Sequence, residues 1–483
     1  MSPSTAAVSP AATSASWIIA RSAGPSTKCS VPAPRRNITL QKTFISEALN
    51  IAGHQNYGPG TAHGYAATIG GDIGSFHHNL LAHNEGRNWS LGGGLDGSGN
   101  FAGRLDITNN VVYNWRGRTT DGGTMELNFV NNYYKPGAAT RHYYALTMNH
   151  ENLAGGMQRA YFAGNIMPGT FDETNQTAGR RSVLSNGVTI NYETFVDAPF
   201  FPSYVETQPA REAYKRVLSD VGSNAPIDDH DIRVINETLT GTFTYTGTGP
   251  FGGYPGLPNS QDDVGGWENY PEIYRDVDFD SDNDGLPNWW ESLKGTNPLS
   301  AANDFSDTNA DPDANGYTHL EEYLHWLTIQ KAEVAQGGSV DIDLAALTRG
   351  YTASPVFTFG SVTGGTVSLL GDSKTVRFTS HISFEGAAEF TFTVTDSAGS
   401  TMTRTVGIRV IAPLNEPSFK LTAINTGLFC GTSGKVYRLQ HSTDLTNWTT
   451  WKTLAATGND QLIEVPANLT TGPKNFFRAI TSQ

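Results

Sequence analysis

The chain has 483 residues, enough for three or four domains at roughly 100–200 residues each. Its 32 Lys and Arg against 46 Asp and Glu leave a formal charge of −14, which argues against a nucleic-acid partner and means that a polyanionic ligand needs a locally basic site or bridging cations. Two distant cysteines, Cys29 and Cys430, make no disulfide framework, and no apolar run reaches the roughly 18 residues of a membrane span, so no transmembrane segment is expected. Residues 1–36 show neither strand alternation nor an apolar stretch behind a basic start. They read as a disordered or out-of-frame tail rather than a signal peptide. From Asn37 to Gly179 one pattern recurs: a strand-like run ends in Asn and is followed by apolar or aromatic residues, at Asn79, Asn110, Asn132 and Asn165. Separations of 31, 22 and 33 suit a solenoid whose coils carry loops of different length. An Asn repeated at one corner can stack on its neighbours and satisfy the backbone of the turn. The plainer alternative is a set of unrelated hairpins with Asn turns. Beyond the coils, 209–222 has helical spacing ending at Gly222, and 236–268, rich in Gly, Thr and Pro, reads as loops.

The phrase FHHNLLAHNEGRN, followed by NNVVYNW and NNYYKPG, resembles the polysaccharide lyase family 1 pectate lyases, over 37–275. The resemblance implies a right-handed parallel β-helix and calcium-dependent β-elimination on polygalacturonate (pectin), giving a 4,5-unsaturated uronide. That reaction needs a base for the C5 proton, which lies α to a carboxylate. It needs positive charge, usually calcium (Ca2+) on acidic side chains, to stabilise the enediolate, and help for the departing C4 oxygen. Arg87 matches the family's base. A guanidinium stays protonated in nearly all proteins, so this role requires a cation-rich neighbourhood; the structural alternative is an Arg capping a coil. The family's phrase places Pro two residues after this Arg and a second, substrate-binding Arg five after it. Here those positions hold Trp89 and Gly92. His63, in GTAHGYA, is assigned as a catalytic assistant facing the groove. Glu47, in FISEALN, is assigned as a groove or metal carboxylate, and His77 and Lys135 as substrate-binding residues. On a strand, His77 and His78 are expected to point one inward and one outward. The family's calcium ligands lie upstream, in a segment resembling DHCSxSWxxDE. Residues 16–34, back-translated in a neighbouring frame, approach that segment, so the catalytic acidic cluster is expected to be missing and the activity low. Hydrolysis is disfavoured, because Asp72, Asp96, Asp106 and Asp121 are scattered rather than paired.

Residues 276–330 are acidic. In DFDSDNDGLPNWWE, Asp280, Asp282, Asp284, Gly285 and Glu291 take positions 1, 3, 5, 6 and 12 of an EF-hand-type loop, with the Leu286 carbonyl at position 7. A second copy follows 31 residues on, with Asp311, Asp313, Asn315, Gly316 and Glu322 as its counterparts and Tyr317 at position 7. A hard cation needs several converging oxygens, and the Gly permits the sharp turn that brings them together. A single match could be a solvated acidic loop; two argue for calcium. The pair resembles dockerin or thrombospondin type 3 segments, which implies a stiffened join between modules or, less directly, a scaffold-binding role. Residues 335–412 carry strand runs at 356–362, 366–370, 375–380, 388–396 and 403–412, an Ig- or cadherin-like β-sandwich pattern. After Pro413, residues 413–483 repeat the style as a second small β-domain. The expected fold class is therefore all-β: a right-handed parallel β-helix, a calcium-binding linker and two small β-sandwich-like domains. Such modules are exported, which points to an extracellular protein whose signal peptide is lost. The C-terminal modules are expected to bind a cell surface, a glycan or a scaffold. The competing reading of the whole is a non-catalytic carbohydrate-binding or adhesion protein.

Overall fold

A computed structural model describes residues 15–18, 21–22, 29–30 and 36–481, apart from 54–55, 92–102, 151–155, 186, 224–226, 268–274, 276–278, 413–416, 424 and 458–460. The chain forms two compact units. One comprises 1–269 with 345–355 and 394–402; the other comprises 270–344, 356–393 and 403–483.

In the first unit the chain winds through three parallel sheets in turn, a parallel β-helix. The seven-stranded sheet holds Ala15–Ile18, Arg36–Gln41, Asp72–His77, Arg104–Thr108, Glu126–Val130, Arg159–Ala163 and Phe195–Val196. The five-stranded sheet holds Arg21–Ser22, Phe44–Ser46, Leu80–Ala82, Val111–Tyr113 and Tyr133–Lys135. The six-stranded sheet holds Cys29–Ser30, Ala67–Ile69, Ser90–Leu91, Thr120–Gly122, Leu146–His150 and Arg180–Leu184. Parallel register stacks like on like. Leu40, Phe76, Ile107, Phe129 and Phe162 lie on consecutive strands at one level, all buried. Trp89, Trp115 and Tyr134 fill the same core without exposure.

The Asn corner is a continuous ladder. Asn79 Nδ2 donates to Asn110 Oδ1 at 2.9 Å, Asn110 Nδ2 to Asn132 Oδ1 at 3.0 Å, and Asn132 Nδ2 to Asn165 Oδ1 at 3.0 Å. Each amide also donates to the carbonyl of the penultimate residue of a strand in the neighbouring coil, those of Leu40, Phe76, Ile107 and Phe129. Thr43 N begins the stack by donating to Asn79 Oδ1, and Gln176 ends it by accepting from Asn165 N. The residue before each rung, His78, Asn109, Asn131 or Gly164, has φ between 54° and 67°, the left-handed turn that redirects the chain into the next sheet.

Part of the expected tail is strand. Ala15–Ile18, Arg21–Ser22 and Cys29–Ser30 pair in parallel with Arg36–Gln41, Phe44–Ser46 and Ala67–Ile69. Parallel pairing draws on backbone groups, so a strand stacked on an existing coil does not need alternation of its own. The remainder of 1–35 lies outside the described residues. The expected helix is present as Ala210–Asp220. A second helix, Asp229–Thr240, corrects the reading of 236–268 as loop from its start. Asp228 caps it by accepting from Asp231 N, and Gly241 closes it at φ 77°. Both helices lie on the outer face of the five-stranded sheet, where Val217, Leu218, Val234 and Ile235 bury against Phe44, Leu80, Val111 and Tyr113.

In the second unit, helices Asn288–Lys294 and His319–Ile329 pack Leu286, Trp290, Tyr323 and Trp326 into a small core. Antiparallel sheets follow. Strands Val356–Thr363, Gly386–Thr395 and Thr401–Ile411 form one sheet, joined in parallel by Gln330–Ala335; Ser339–Asp343, Gly365–Leu369 and Thr375–Ser380 form another. The last segment folds as two three-stranded sheets around Phe429, Tyr437, Leu439 and Ile463. Cys430 is a free thiol. Among the described residues no helix is long and apolar enough to cross a membrane.

Candidate functional site

Residues that lead into the strands of the six-stranded sheet are brought to one edge by parallel stacking. Tyr65 bridges Gly86, one residue before Arg87. The Arg87 guanidinium lies 4.6 Å from the centre of the Tyr65 ring, and that of Arg118, from the next coil, lies 5.3 Å from it. The His63 ring is 4.4 Å from Tyr65 and 4.8 Å from the half-exposed Tyr57. The two residues assigned to catalysis, Arg87 and His63, thus meet on one tyrosine. Arg87 Nε is buried without a hydrogen-bond partner in the protein.

Arg118 forks onto Asp121, with Nε and Nη2 each 2.6 Å from a carboxylate oxygen. That hydrogen-bonded pair raises the Arg118 pKa, fixing its charge. Gly86 leaves room for it, since a Cβ there would lie 2.7 Å from Arg118 Cβ. Further along the sheet, Asp121, Thr147 and Arg181 share one level. Arg181 lies over Tyr144 at 4.7 Å and donates to Thr147 Oγ1 at 3.1 Å. Burial, then the Arg181 charge, lowers the pKa of His142 nearby. The carboxylate nearest Arg87 in sequence, Glu85, is buried and accepts from Arg116 Nη1 at 3.1 Å and Asn50 Nδ2 at 3.3 Å. Burial raises its pKa despite those partners.

Three sequence assignments do not join this cluster. Glu47 is 4% exposed and takes both arms of Arg233, at 2.9 and 2.8 Å. It sits at a left-handed corner, φ 50°, that turns its side chain toward the helix Asp229–Thr240. The same helix presents Glu237 to His83 at 2.8 Å. Lys135 is half-buried beneath the helix Asp229–Thr240. Its Nζ donates to Thr238 O at 2.7 Å and Leu239 O at 2.9 Å, capping that helix's C-terminus. His77 touches His78, Nδ1 to Nδ1 at 2.9 Å, and His78 Nε2 meets Gln208 Oε1 at 2.8 Å. Neither ring points inward. Phe76 takes the core position, and the left-handed turn at His78, φ 55°, breaks the alternation. All three contacts lie in the layer that the C-terminal extension folds over the coils.

In the second unit the carboxylates of Asp280, Asp282 and Asp284 converge, their ligand atoms within 4.8 Å of one another. Asp280 Oδ1, Asp282 Oδ1 and Glu291 Oε2 are buried with no hydrogen-bond partner. Burial, reinforced by Asp282, Asp284 and Asp280, pushes the Glu291 carboxyl up to about 8. An oxygen-only set with orphaned buried carboxylates fits a hard divalent cation. The Leu286 side chain is buried, and its N–H donates to Asp284 Oδ1 at 2.8 Å. The second loop repeats the backbone twist: Asn283 and Ala314 have φ 58° and 54°, Gly285 and Gly316 φ 99° and 93°. Its side chains are more exposed and better partnered. Asp311 accepts from the N–H groups of Asn315 and Gly316, Asp313 from Asn315 Nδ2, and Glu322 pairs with Lys294 at 2.7 Å. Tyr317 is half exposed.

Sequence reasoning missed Tyr65, Arg118 and Asp121, and in the linker Thr308, whose hydroxyl donates to Asp284 Oδ2 at 2.6 Å. A signal for Arg118 was present. It follows Arg87 by 31 residues, the separation of Asn79 and Asn110, and so falls one coil on.

The chain resembles known proteins over part of its length. It is 27% identical over 299 residues to the "Probable pectate lyase C" of Emericella nidulans, covering 62% of this chain and 60% of that protein. The proteins of the same description from Aspergillus flavus and Aspergillus oryzae are each 24% identical over 296 residues, covering 60% of both chains. The chain thus spans about 60% of the length of the curated relatives it matches. Residues 326–409 match the family described as bacterial Ig domain. A solved structure of titin domains A168–A170 overlaps 31% of this chain and 55% of that one, at 13% identity and a TM-score of 0.17, too slight to bear on the fold. The chain is built on a parallel β-helix, is a distant homologue of probable pectate lyases at 24–27% identity over about 60% of its length, and is similar to the bacterial Ig domain family over 326–409.

Proposed function

We propose that the β-helix unit recognises polygalacturonate and retains the elements of pectate lyase chemistry in weakened form. The observation that carries this reading is the meeting of Arg87 and His63 on Tyr65, beside Arg118. Arg87 is the residue placed to act as the base for the C5 proton, and Arg118 adds positive charge beside it. The C5 proton would pass to Arg87, the C4–O bond would break, and His63 would protonate the departing oxygen. Calcium at the reacting carboxylate would supply charge for the enediolate. Among the described residues the three-carboxylate group lies in the linker, whereas Glu85 and Asp121 beside Arg87 are committed to Arg116 and Arg118. That commitment is why turnover is expected to be slow. It also favours the second reading, a binding protein without catalysis.

The linker is proposed to hold calcium at Asp280, Asp282, Asp284, the Leu286 carbonyl and Glu291, and more weakly at Asp311, Asp313, Asn315, the Tyr317 carbonyl and Glu322. Its role would be to stiffen the join, over 276–330, between the β-helix and the modules at 335–412 and 413–483. The setting is proposed to be extracellular, with the C-terminal modules binding a surface, glycan or scaffold. The test is the ultraviolet absorbance of unsaturated product from polygalacturonate, with calcium and with chelator. Slow turnover abolished in Arg87→Ala supports the lyase reading. Binding without product selects the second reading, and fast turnover untouched by Arg87→Ala removes Arg87 from the chemistry.

A further inference from the structure

We propose that Arg118 supplies the second guanidinium that grips a uronate carboxylate, in place of the Arg that the motif around Arg87 lacks at Gly92. This rests on the reading of the β-helix as a polygalacturonate-recognising unit. Four observations converge on it. Arg87 and Arg118 lie over the same Tyr65 ring, at 4.6 and 5.3 Å, so two cations are held side by side on one aromatic support. Two guanidiniums so placed repel each other unless an anion is shared between them. Asp121 offsets only one of the two charges, and it takes one N–H each from Nε and Nη2 of Arg118; three N–H groups remain along the Nη1–Nη2 edge, shared between the Tyr65 side chain and a further acceptor. The Arg118 side chain is 36% exposed, whereas Asp121 is 12% exposed, so the cation rather than its partner faces solvent. Finally, the glycine before Arg87 is what admits Arg118, because any side chain at Gly86 would press on its Cβ at 2.7 Å.

The arrangement separates positioning from binding. Asp121 fixes the plane of the Arg118 guanidinium, and the edge that Asp121 leaves open meets the ligand. Planar bidentate recognition selects a carboxylate, so the ligand class is an unesterified uronan rather than a neutral galactan or a methyl-esterified one.

The experiment is equilibrium binding of the full chain to polygalacturonate, to highly methyl-esterified pectin and to neutral galactan. Wild type is compared with Arg118→Gln, Arg118→Lys and the double variant Arg118→Gln/Asp121→Asn, which leaves no buried unpaired carboxylate, each checked for folding by circular dichroism. The expected result is a loss of about tenfold in polygalacturonate affinity for Arg118→Gln and for the double variant, with a smaller loss for Arg118→Lys. Methyl-esterified pectin and galactan should show no comparable change. Unchanged polygalacturonate affinity in the folded double variant overturns the role of Arg118 while leaving the broader reading intact. No binding of polygalacturonate by wild type overturns both.

Discussion

Replacing Glu291 by Gln should change the sign of its effect with calcium. Glu291 is fully buried, its Oε2 has no protein partner, and three aspartates face it. Its carboxyl is pushed from the ordinary 4.5 up to about 8. At pH 7 the ceiling on the destabilisation this implies is on the order of 3 kcal/mol, from about 1.4 kcal/mol per unit. Relaxation of the loop and entry of water reduce it to ~1–2 kcal/mol. Glutamine keeps the shape and removes the charge, so in chelator Glu291→Gln should stabilise the second unit by that amount. In calcium the same substitution removes the bidentate ligand that closes the loop. The wild type should then gain ~2.7 kcal/mol at calcium a hundredfold above its dissociation constant, and the variant much less. The pH dependence follows from the raised carboxyl. Its contribution is complete below 4.5 and is lost as pH rises through about 8, so calcium-free wild type should weaken across that window and Glu291→Gln should not. Tryptophan fluorescence during urea unfolding, with Trp290 and Trp326 buried in the linker core, reads the transition. Equal destabilisation by Glu291→Gln in calcium and in chelator would refute the cation site and leave Glu291 an ordinary buried acid.

Three further outcomes are expected. Asn110→Ala removes donors to Phe76 O and Asn132 Oδ1 and the acceptor for Asn79, leaving several buried groups unpaired at ~1–3 kcal/mol each. Urea unfolding of the β-helix should register a loss above about 3 kcal/mol, and a loss under ~0.5 kcal/mol contradicts the ladder's role. Burial, with His78 and Lys42 adding to it, holds His77 down to about 3 from 6.5, so its contribution is present above 6.5 and lost as pH falls toward 3. Melting temperatures over that range should fall less steeply in His77→Asn than in wild type. Lys135→Met removes the cap from Thr238 and Leu239 and should cost about 1 kcal/mol of stability. Neither it nor Glu47→Gln should change polygalacturonate affinity; a tenfold fall in either would place that residue in the groove.

The solenoid was legible because its signal is one residue type at one corner: Asn79, Asn110, Asn132 and Asn165 repeat a local requirement, the satisfaction of a turn. The convergence of Asp280, Asp282 and Asp284 was legible for a similar reason, since their spacing is fixed within one short loop. What the sequence concealed was covering layers. Glu47, His77 and Lys135 look available in a row of residues, and only the fold shows Glu47 on Arg233, Lys135 on the end of a helix, and His77 on His78, which itself meets Gln208. That helix was missed because Gly, Thr and Pro beyond Thr240 set the composition of its neighbourhood, while its cap signals, Asp228 and Gly241, were local and present. Arg118 was missed because it belongs to the next coil, and nothing within a linear motif points across a coil to the residue stacked upon it.

The most direct test of the account is the affinity of the full chain for polygalacturonate at low and high salt, for wild type and Arg87→Ala. The account predicts binding that weakens with salt and falls about tenfold in Arg87→Ala, as expected for a carboxylate held by partly exposed guanidiniums. Absence of binding, or binding that ignores both salt and Arg87, would contradict it.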